Sequence, residues 1–200
     1  MICKLCNDNI HNGSLFHYLF VDDNICYKCR KSWLYKPIKF KVDNYKAESF
    51  YLYHSGFKDA IIQYKECYDE YLSDIFIYKF IQYINVKYYG YSIVLAPSSK
   101  EAYDRRGFNH LKNIFKHTSL PIVDILEKTN DVSQKTLSLK QRTQVNNVQV
   151  KKGSVIPKKI LLVDDVYISG NTMKNCLNVI NSNNNNIKLI IISHNLLANQ

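Results

Sequence analysis

The residues with the most chemistry to offer lie in the stretch Ile160-Leu161-Leu162-Val163-Asp164-Asp165-Val166-Tyr167-Ile168-Ser169-Gly170-Asn171-Thr172. The aliphatic run Lys159 to Val163 predicts a buried parallel strand, which delivers two adjacent carboxylates, Asp164 and Asp165, to its C-terminal end. A tight turn follows, and Gly170 opens a helix running to about Ile180. In open parallel sheets, ligands bind at the carboxyl ends of the strands. The first N–H groups of a helix lack partners there, and with the helix dipole they favour a phosphate. Gly170 lets the backbone come close, while the hydroxyls of Ser169 and Thr172 add donors. Carboxylates suit ribose hydroxyls or Mg²⁺. A phosphorylated ribose is the ligand that uses both halves. No Gly-Lys-Ser/Thr follows, so this is not a Walker A loop, and no Gly-x-Gly-x-x-Gly dinucleotide fingerprint occurs. An acidic strand end with an N-capped helix and no ligand is the bland alternative. Adjacent acids repel each other unless a ligand or metal compensates, which weighs against it.

A second cluster is made of thiols. Cys3-x-x-Cys6 and Cys26-x-x-Cys29 are separated by nineteen residues, the spacing of a structural Zn²⁺ site with four thiolate ligands. A two-residue gap lets one knuckle present two sulfurs. Asn12-Gly13 predicts a turn between the pairs, with Phe16, Leu19 and Phe20 as apolar filler. His11 and His17 are possible substitute ligands that the paired spacing makes unnecessary. Four protein ligands leave no open position, so the metal is expected to be structural. A redox dithiol needs only one pair, and disulfides suit a secreted chain. Cys67 and Cys176 fall in helical apolar patterns and read as core residues.

These groups need a scaffold. Ser49 to Tyr53 predicts a strand, and apolar residues recurring at three and four from Phe57 to about Ile84 predict two helices. Tyr91 to Ala96 reads as a buried strand, Phe108 to His117 as a helix, and Pro121 to Leu126 and Ile187 to Ser193 as strands. Ser133 to Asn147, with Lys135, Lys140 and Arg142, reads as a polar, basic, mobile loop. Strands alternating with helices predict an α/β fold with a parallel sheet flanked by helices. A zinc ribbon over residues 1–40 is expected to precede a main domain over 41–200, with Arg30-Lys31-Ser32-Trp33 as a basic exit and Pro37 closing it.

The 200 residues are enough to bury a core without disulfides. Twenty-seven basic against 17 acidic residues give a net charge of +10, which favours polyanionic partners such as nucleic acid or phosphorylated small molecules, or simply a soluble basic surface. The opening residues lack a long apolar stretch and Leu189 to Ile192 is far short of a membrane span. A cytoplasmic chain without membrane insertion is therefore expected, one that keeps its cysteines reduced.

Taken in order, these segments resemble the ComF competence family of phosphoribosyltransferase-like proteins. Val163 to Thr172 resembles the type I phosphoribosyltransferase signature for phosphoribosyl pyrophosphate (PRPP). Arg105-Arg106-Gly107-Phe108-Asn109-His110 resembles the family's Arg-Gly-Phe-Asn-Gln, and Tyr53-His54-Ser55-Gly56-Phe57-Lys58 with Lys65 resembles its Tyr-x-Gly-x-x-Lys/Arg…Lys block. The cysteine pairs match its N-terminal zinc finger. Two positions depart: Ile168 and Ser169 stand where the signature has two threonines, and His110 stands for the glutamine.

The resemblance implies a type I phosphoribosyltransferase-like fold and a late competence protein acting in natural transformation on incoming single-stranded DNA, beside an uptake helicase. Asp164 and Asp165 would hold the ribose hydroxyls, Ser169 through Thr172 the 5-phosphate, and Lys100, Arg105 and Arg106 the pyrophosphate, with Mg²⁺ bridging pyrophosphate and ribose. Lys28 to Lys31, Lys151 to Lys159 and the tyrosines would serve a single-stranded DNA surface. The alternatives are an active phosphoribosyltransferase, displacing pyrophosphate at the anomeric carbon through an oxocarbenium-like transition state, and a zinc-stapled adaptor that binds only protein.

Overall fold

The computed structural model describes residues 2–10, 24–129, 147–181 and 184–195. Six strands form one sheet in the order β1-β2-β8-β7-β3-β4: β1 (Tyr35–Val42), β2 (Tyr45–Leu52), β8 (Asn186–His194), β7 (Lys159–Tyr167), β3 (Ser92–Leu95) and β4 (Ile122–Val123). The β1–β2 pair is an antiparallel hairpin, and β2, β8, β7, β3 and β4 run parallel. A separate ribbon pairs β5 (Leu126–Lys128) with β6 (Val148–Val150). The helices are α1 (Tyr27–Lys31), α2 (Ser55–Glu66), α3 (Ile81–Lys87), α4 (Lys100–Arg106), α5 (His110–Phe115) and α6 (Asn171–Ile180), with 3₁₀ turns at Glu70–Ile75 and Tyr78–Phe80. The fold class expected from the sequence, α/β with a mostly parallel sheet flanked by helices, is the one observed.

The central strands are apolar because helices cover both their faces. Ile160, Leu161, Leu162 and Val163 of β7 and Leu189 to Ile192 of β8 are completely buried. A second core layer is aromatic. Trp33 meets Tyr51, Phe57 and Phe76 with ring centroids 4.9–5.7 Å apart, and Phe50 stacks on Phe80 at 4.0 Å. Of the two helices expected between Phe57 and Ile84, α2 forms as read, but the apolar spacing from Tyr68 to Phe80 winds into 3₁₀ turns and the next α-helix, α3, begins only at Ile81.

Several boundaries differ from expectation. The first strand, β1, is not among the expected strands although Ile38-Lys39-Phe40-Lys41-Val42 alternates, because Pro37 reads as the close of the zinc ribbon; its lysines and Pro37 suit a sheet edge. The boundary drawn at residue 40 falls inside it. The strand expected over Pro121 to Leu126 divides into β4 in the main sheet and β5 in the ribbon. The short helix α4 adds to the expected elements; Ser99 caps it by accepting from the Ala102 amide at 3.2 Å. Strand β7 runs to Tyr167, four residues beyond Val163, because β8 stays paired with it as far as Tyr167–His194 while β3 stops at Leu95. The Asn12-Gly13 turn, His11, His17, Phe16, Leu19, Phe20 and the loop from 133 to 146 lie outside the described residues.

The cysteine-bearing segment is packed onto the main body. Cys3, Ile25 and Trp33 are buried with the core. Lys4 Nζ donates to Asp74 at 2.7 Å, Asn24 donates to the same carboxylate at 2.9 Å, and Arg30 donates to the Ile75 carbonyl at 3.3 Å.

Candidate functional site

The carboxyl ends of β3 and β7 lie side by side, tied by the Ala96 amide donating to the Val163 carbonyl at 3.0 Å. Past that bond, β7 overhangs its neighbour and carries Asp164 and Asp165 into the space where the two loops diverge. Asp164, Val166, Tyr167, Ile168, Ser169, Gly170, Thr172 and Met173 line a cleft of about 290 Å³. Asp164 and the turn expected to hold the sugar and its phosphate therefore face one space. Gly170 has φ 76°, and a Cβ built on it would lie 2.6 Å from the Tyr167 hydroxyl. Both facts require glycine, so the backbone reverses tightly and starts α6 with its first amides beside the cleft. The Asn171 amide reaches back to the Ser169 hydroxyl at 3.4 Å. Ser169 and Thr172 are exposed, as is Ile168, which offers no hydroxyl.

The two aspartates sit in different surroundings. Asp165 is 4% exposed and accepts from the Lys65 ammonium at 2.7 Å. Burial raises its pKa, but the Lys65 charge, the nearby His110 and the hydrogen bonds with Lys65 and Asp164 together outweigh burial and hold Asp165 well below the usual carboxylate range. Asp164 moves the other way: burial, then the neighbouring Asp165 charge, push it up. One Asp164 oxygen accepts from the Asp165 amide at 2.9 Å. Asp165 is thus anchored by Lys65, and Asp164 is the carboxyl group that lines the cleft.

Lys65 is steered from behind. Arg106 donates through Nε to the Lys65 carbonyl at 3.3 Å and through its guanidinium to His110 Nδ1 at 2.9 Å. With Nδ1 accepting, the His110 proton belongs on Nε2, which lies 3.8 Å from Asp165 and has no hydrogen-bond partner. Burial lowers the His110 pKa to about 4, so the ring is neutral at pH 7. Ser98 Oγ lies 3.3 Å from the same Nδ1.

The remaining candidates separate. Lys100 is exposed at the start of α4 and lines a second cleft, of about 400 Å³, with Pro97, Ser98, Asn109, Lys128 and Lys151. Arg105 is exposed on the last turn of α4, whereas Arg106 is 8% exposed and turned into the Lys65–His110 network. The pairing of Lys65 with Asp165 and the inward role of Arg106 are not visible in spacing, since 100 residues separate the ion pair.

Cys3, Cys6, Cys26 and Cys29 bring their sulfurs within 4.8 Å of one another. The sulfurs of Cys6 and Cys26 are 3.7 Å apart, close to the edge of a tetrahedron with metal–sulfur bonds of about 2.3 Å. The Cys26 amide donates to Cys3 Sγ at 3.2 Å. Burial raises the Cys3 thiol, but that bond and others from the first knuckle outweigh it and bring the pKa down to about 7. Burial and the other sulfurs push Cys29 up. A cation relieves that crowding, and the four thiols can hold a metal ion such as zinc. No helix among the described residues is long and apolar enough to cross a membrane.

A mostly parallel sheet with a carboxylate, a tight glycine turn and a helix start around one cleft defines an α/β protein with a cleft at its strand ends and a four-cysteine cluster at its N-terminus. The chain is similar to the competence protein ComFC of Streptococcus pneumoniae (strain ATCC BAA-255 / R6), with 32% identity over 129 residues. The match covers 62% of this chain and 57% of that protein's length. The match runs in the direction of the resemblance carried by the motifs, and this chain spans less than two thirds of that relative's length. Two crystal forms of a hypoxanthine phosphoribosyltransferase from Staphylococcus aureus are also similar, at 19% and 20% identity and TM-scores of 0.38 and 0.39, covering 62% of each chain. No family model matches the chain.

Proposed function

We propose that this chain is a competence protein of the ComFC kind, a cytoplasmic component of natural transformation that binds PRPP with Mg²⁺ and handles single-stranded DNA. The observation that carries the PRPP part is the shared cleft of Asp164 and the turn from Ile168 to Met173. In this reading the turn amides with Ser169, Asn171 and Thr172 take the 5-phosphate, and Asp164 takes ribose hydroxyls. Mg²⁺ would neutralise the pyrophosphate together with Lys100, which lines the cleft after β3, and exposed Arg105 of the same helix. Asp165 and Arg106 act from behind, through Lys65. The cysteines hold a structural zinc ion. The helicase of the uptake machinery is the protein partner that the family resemblance suggests.

The test is calorimetry of the purified chain with PRPP and Mg²⁺. Wild type should bind PRPP and Asp164→Asn should not, while its melting temperature stays close to that of wild type. Asn keeps the oxygen that accepts from the Asp165 amide. Absence of PRPP binding by folded wild type removes the phosphoribosyl part of the proposal.

A further inference from the structure

The opposite end of the sheet carries a third cleft, of about 620 Å³, lined by Lys39, Phe40, Lys41, Lys46, Ala47, Glu48, Lys87, Tyr88, Tyr91 and Lys188. Lys46 and Lys188 lie near the starts of β2 and β8, and Tyr91 directly precedes β3. Asp164 and Ser169 lie at the carboxyl end. From Lys188 to His194 the strand advances about 20 Å, so the two clefts are separate. An adjoining hollow shares Lys39 and Lys87 and adds Tyr83 and Val86. Lys159, at the start of β7, reaches over the Tyr91 ring at 5.9 Å.

The charge arrangement is unbalanced in a specific way. Lys41 and Lys46 are directly opposite each other in the β1–β2 hairpin, where like charges oppose folding. Lys39 is opposite Glu48, yet Glu48 is not available to compensate it. That carboxylate is 6% exposed and accepts from Lys87, from Tyr83 at 2.8 Å and from Tyr88 at 2.6 Å. Glu48 therefore fixes one lysine and two rings in place and leaves Lys39, Lys41, Lys46 and Lys188 facing the cleft. An extended polyanion relieves this repulsion at several points, and its flat, apolar groups would meet half-buried Tyr91 and exposed Tyr83, whose rings carry Lys159 at 5.9 Å and Lys87 at 4.8 Å.

We infer that this lysine–tyrosine groove is the seat of single-stranded nucleic acid, with phosphates along Lys39, Lys41, Lys46 and Lys188 and bases against Tyr83 and Tyr91. This deepens the nucleic-acid part of the function proposed above and rests on it. It also moves the surface expected over Lys151 to Lys159. Lys151 pairs with Asp124 at 2.9 Å and lines the cleft near Lys100, whereas Lys159 borders the groove.

The experiment is anisotropy of a labelled oligo-dT over a salt series, with the full chain and with the quadruple variant Lys39→Gln/Lys41→Gln/Lys46→Gln/Lys188→Gln. The variant should bind at least tenfold more weakly. Its plot of log affinity against log salt should flatten by about 0.7 for each lysine–phosphate pair removed. An abasic strand of equal length should bind wild type more weakly than oligo-dT, and Lys151→Gln/Lys152→Gln should bind like wild type. PRPP calorimetry on the same variants reports folding and the phosphoribosyl site independently. Unchanged oligo-dT binding by the quadruple variant overturns the placement, as does a polyglutamate peptide displacing the strand at equal charge concentration. Wild type that binds PRPP but no oligo-dT at low salt overturns the nucleic-acid part alone.

Discussion

The Lys65 ammonium lies 2.7 Å from the Asp165 carboxylate, across 100 residues of sequence, and that ion pair joins the end of α2 to the overhanging end of β7. It divides the work of the two adjacent aspartates. Asp165 is held ionised by Lys65, and Asp164 faces the cleft. Arg106 donates to the Lys65 carbonyl and to His110, whose Nε2 lies 3.8 Å from Asp165, so the four residues form one buried network beneath the cleft.

Removing one member of a buried ion pair leaves the other charge uncompensated. Lys65→Met should destabilise the chain by about 3 kcal/mol, read as a lower midpoint of urea unfolding. Lys65→Met combined with Asp165→Asn should recover a large part of that loss. Purely additive losses would mean that the pair is not energetically coupled.

His110 predicts a pH dependence. Its folded pKa, about 4, is depressed by burial below the ordinary 6.5. The unfolded chain therefore binds the extra proton first. The contribution to stability is complete above pH 6.5 and is lost as the pH falls toward 4, by up to about 3 kcal/mol. His110→Gln, the residue that the ComF motif carries there, should flatten stability over that window. A wild-type profile already flat between pH 6.5 and 4 would contradict the burial of a neutral ring.

Gly170→Ala places a methyl group against the Tyr167 ring at a left-handed φ of 76°. The strain should amount to about 1–3 kcal/mol, and PRPP affinity should fall with it. Tyr167→Phe in the same chain removes the nearest clash and leaves the φ penalty, so it should restore only part of the stability. Alanine tolerated without any change in melting or affinity would show that the turn does not need its present shape.

How much could be read from the sequence follows from how local each signal is. The aliphatic runs of β7 and β8, the glycine turn and the cysteine spacing are local patterns, and the fold class and the four-sulfur cluster followed from them. Edge strand β1 does alternate, Ile38-Lys39-Phe40-Lys41-Val42, but Pro37 within it reads as a break and hid it. Lys65 and Arg106 stood out only as motif residues: that Lys65 pairs with Asp165, and that Arg106 and not Arg105 turns inward, depends on how α2, α4 and β7 pack, which adjacent arginines on a short helix do not encode. The extension of β7 to Tyr167 depends on how far β8 stays paired with it, a pairing that no single segment encodes.

The chain has one tryptophan, Trp33. It stacks on Phe76 at 5.7 Å with Arg30 above it at 4.4 Å. Arg30 follows Cys29 directly, so loss of the metal should loosen Arg30 and shift Trp33 fluorescence. Metal analysis should find one zinc per chain, and Cys26→Ser should abolish it and reproduce the fluorescence change caused by a chelator. Full zinc content in Cys26→Ser would contradict the four-thiolate assignment.

The central claim is that the bend from Ser169 to Thr172 receives a phosphate while Asp164 receives the attached sugar. Titrating isotope-labelled protein with ribose 5-phosphate and following backbone amides by nuclear magnetic resonance tests it at the atoms concerned. The amides of Gly170, Asn171 and Thr172 should shift saturably, those of Lys41 and Lys46 should stay still, and Asp164→Asn should weaken the response. Shifts confined to other segments, with these three amides unmoved at saturation, would contradict it.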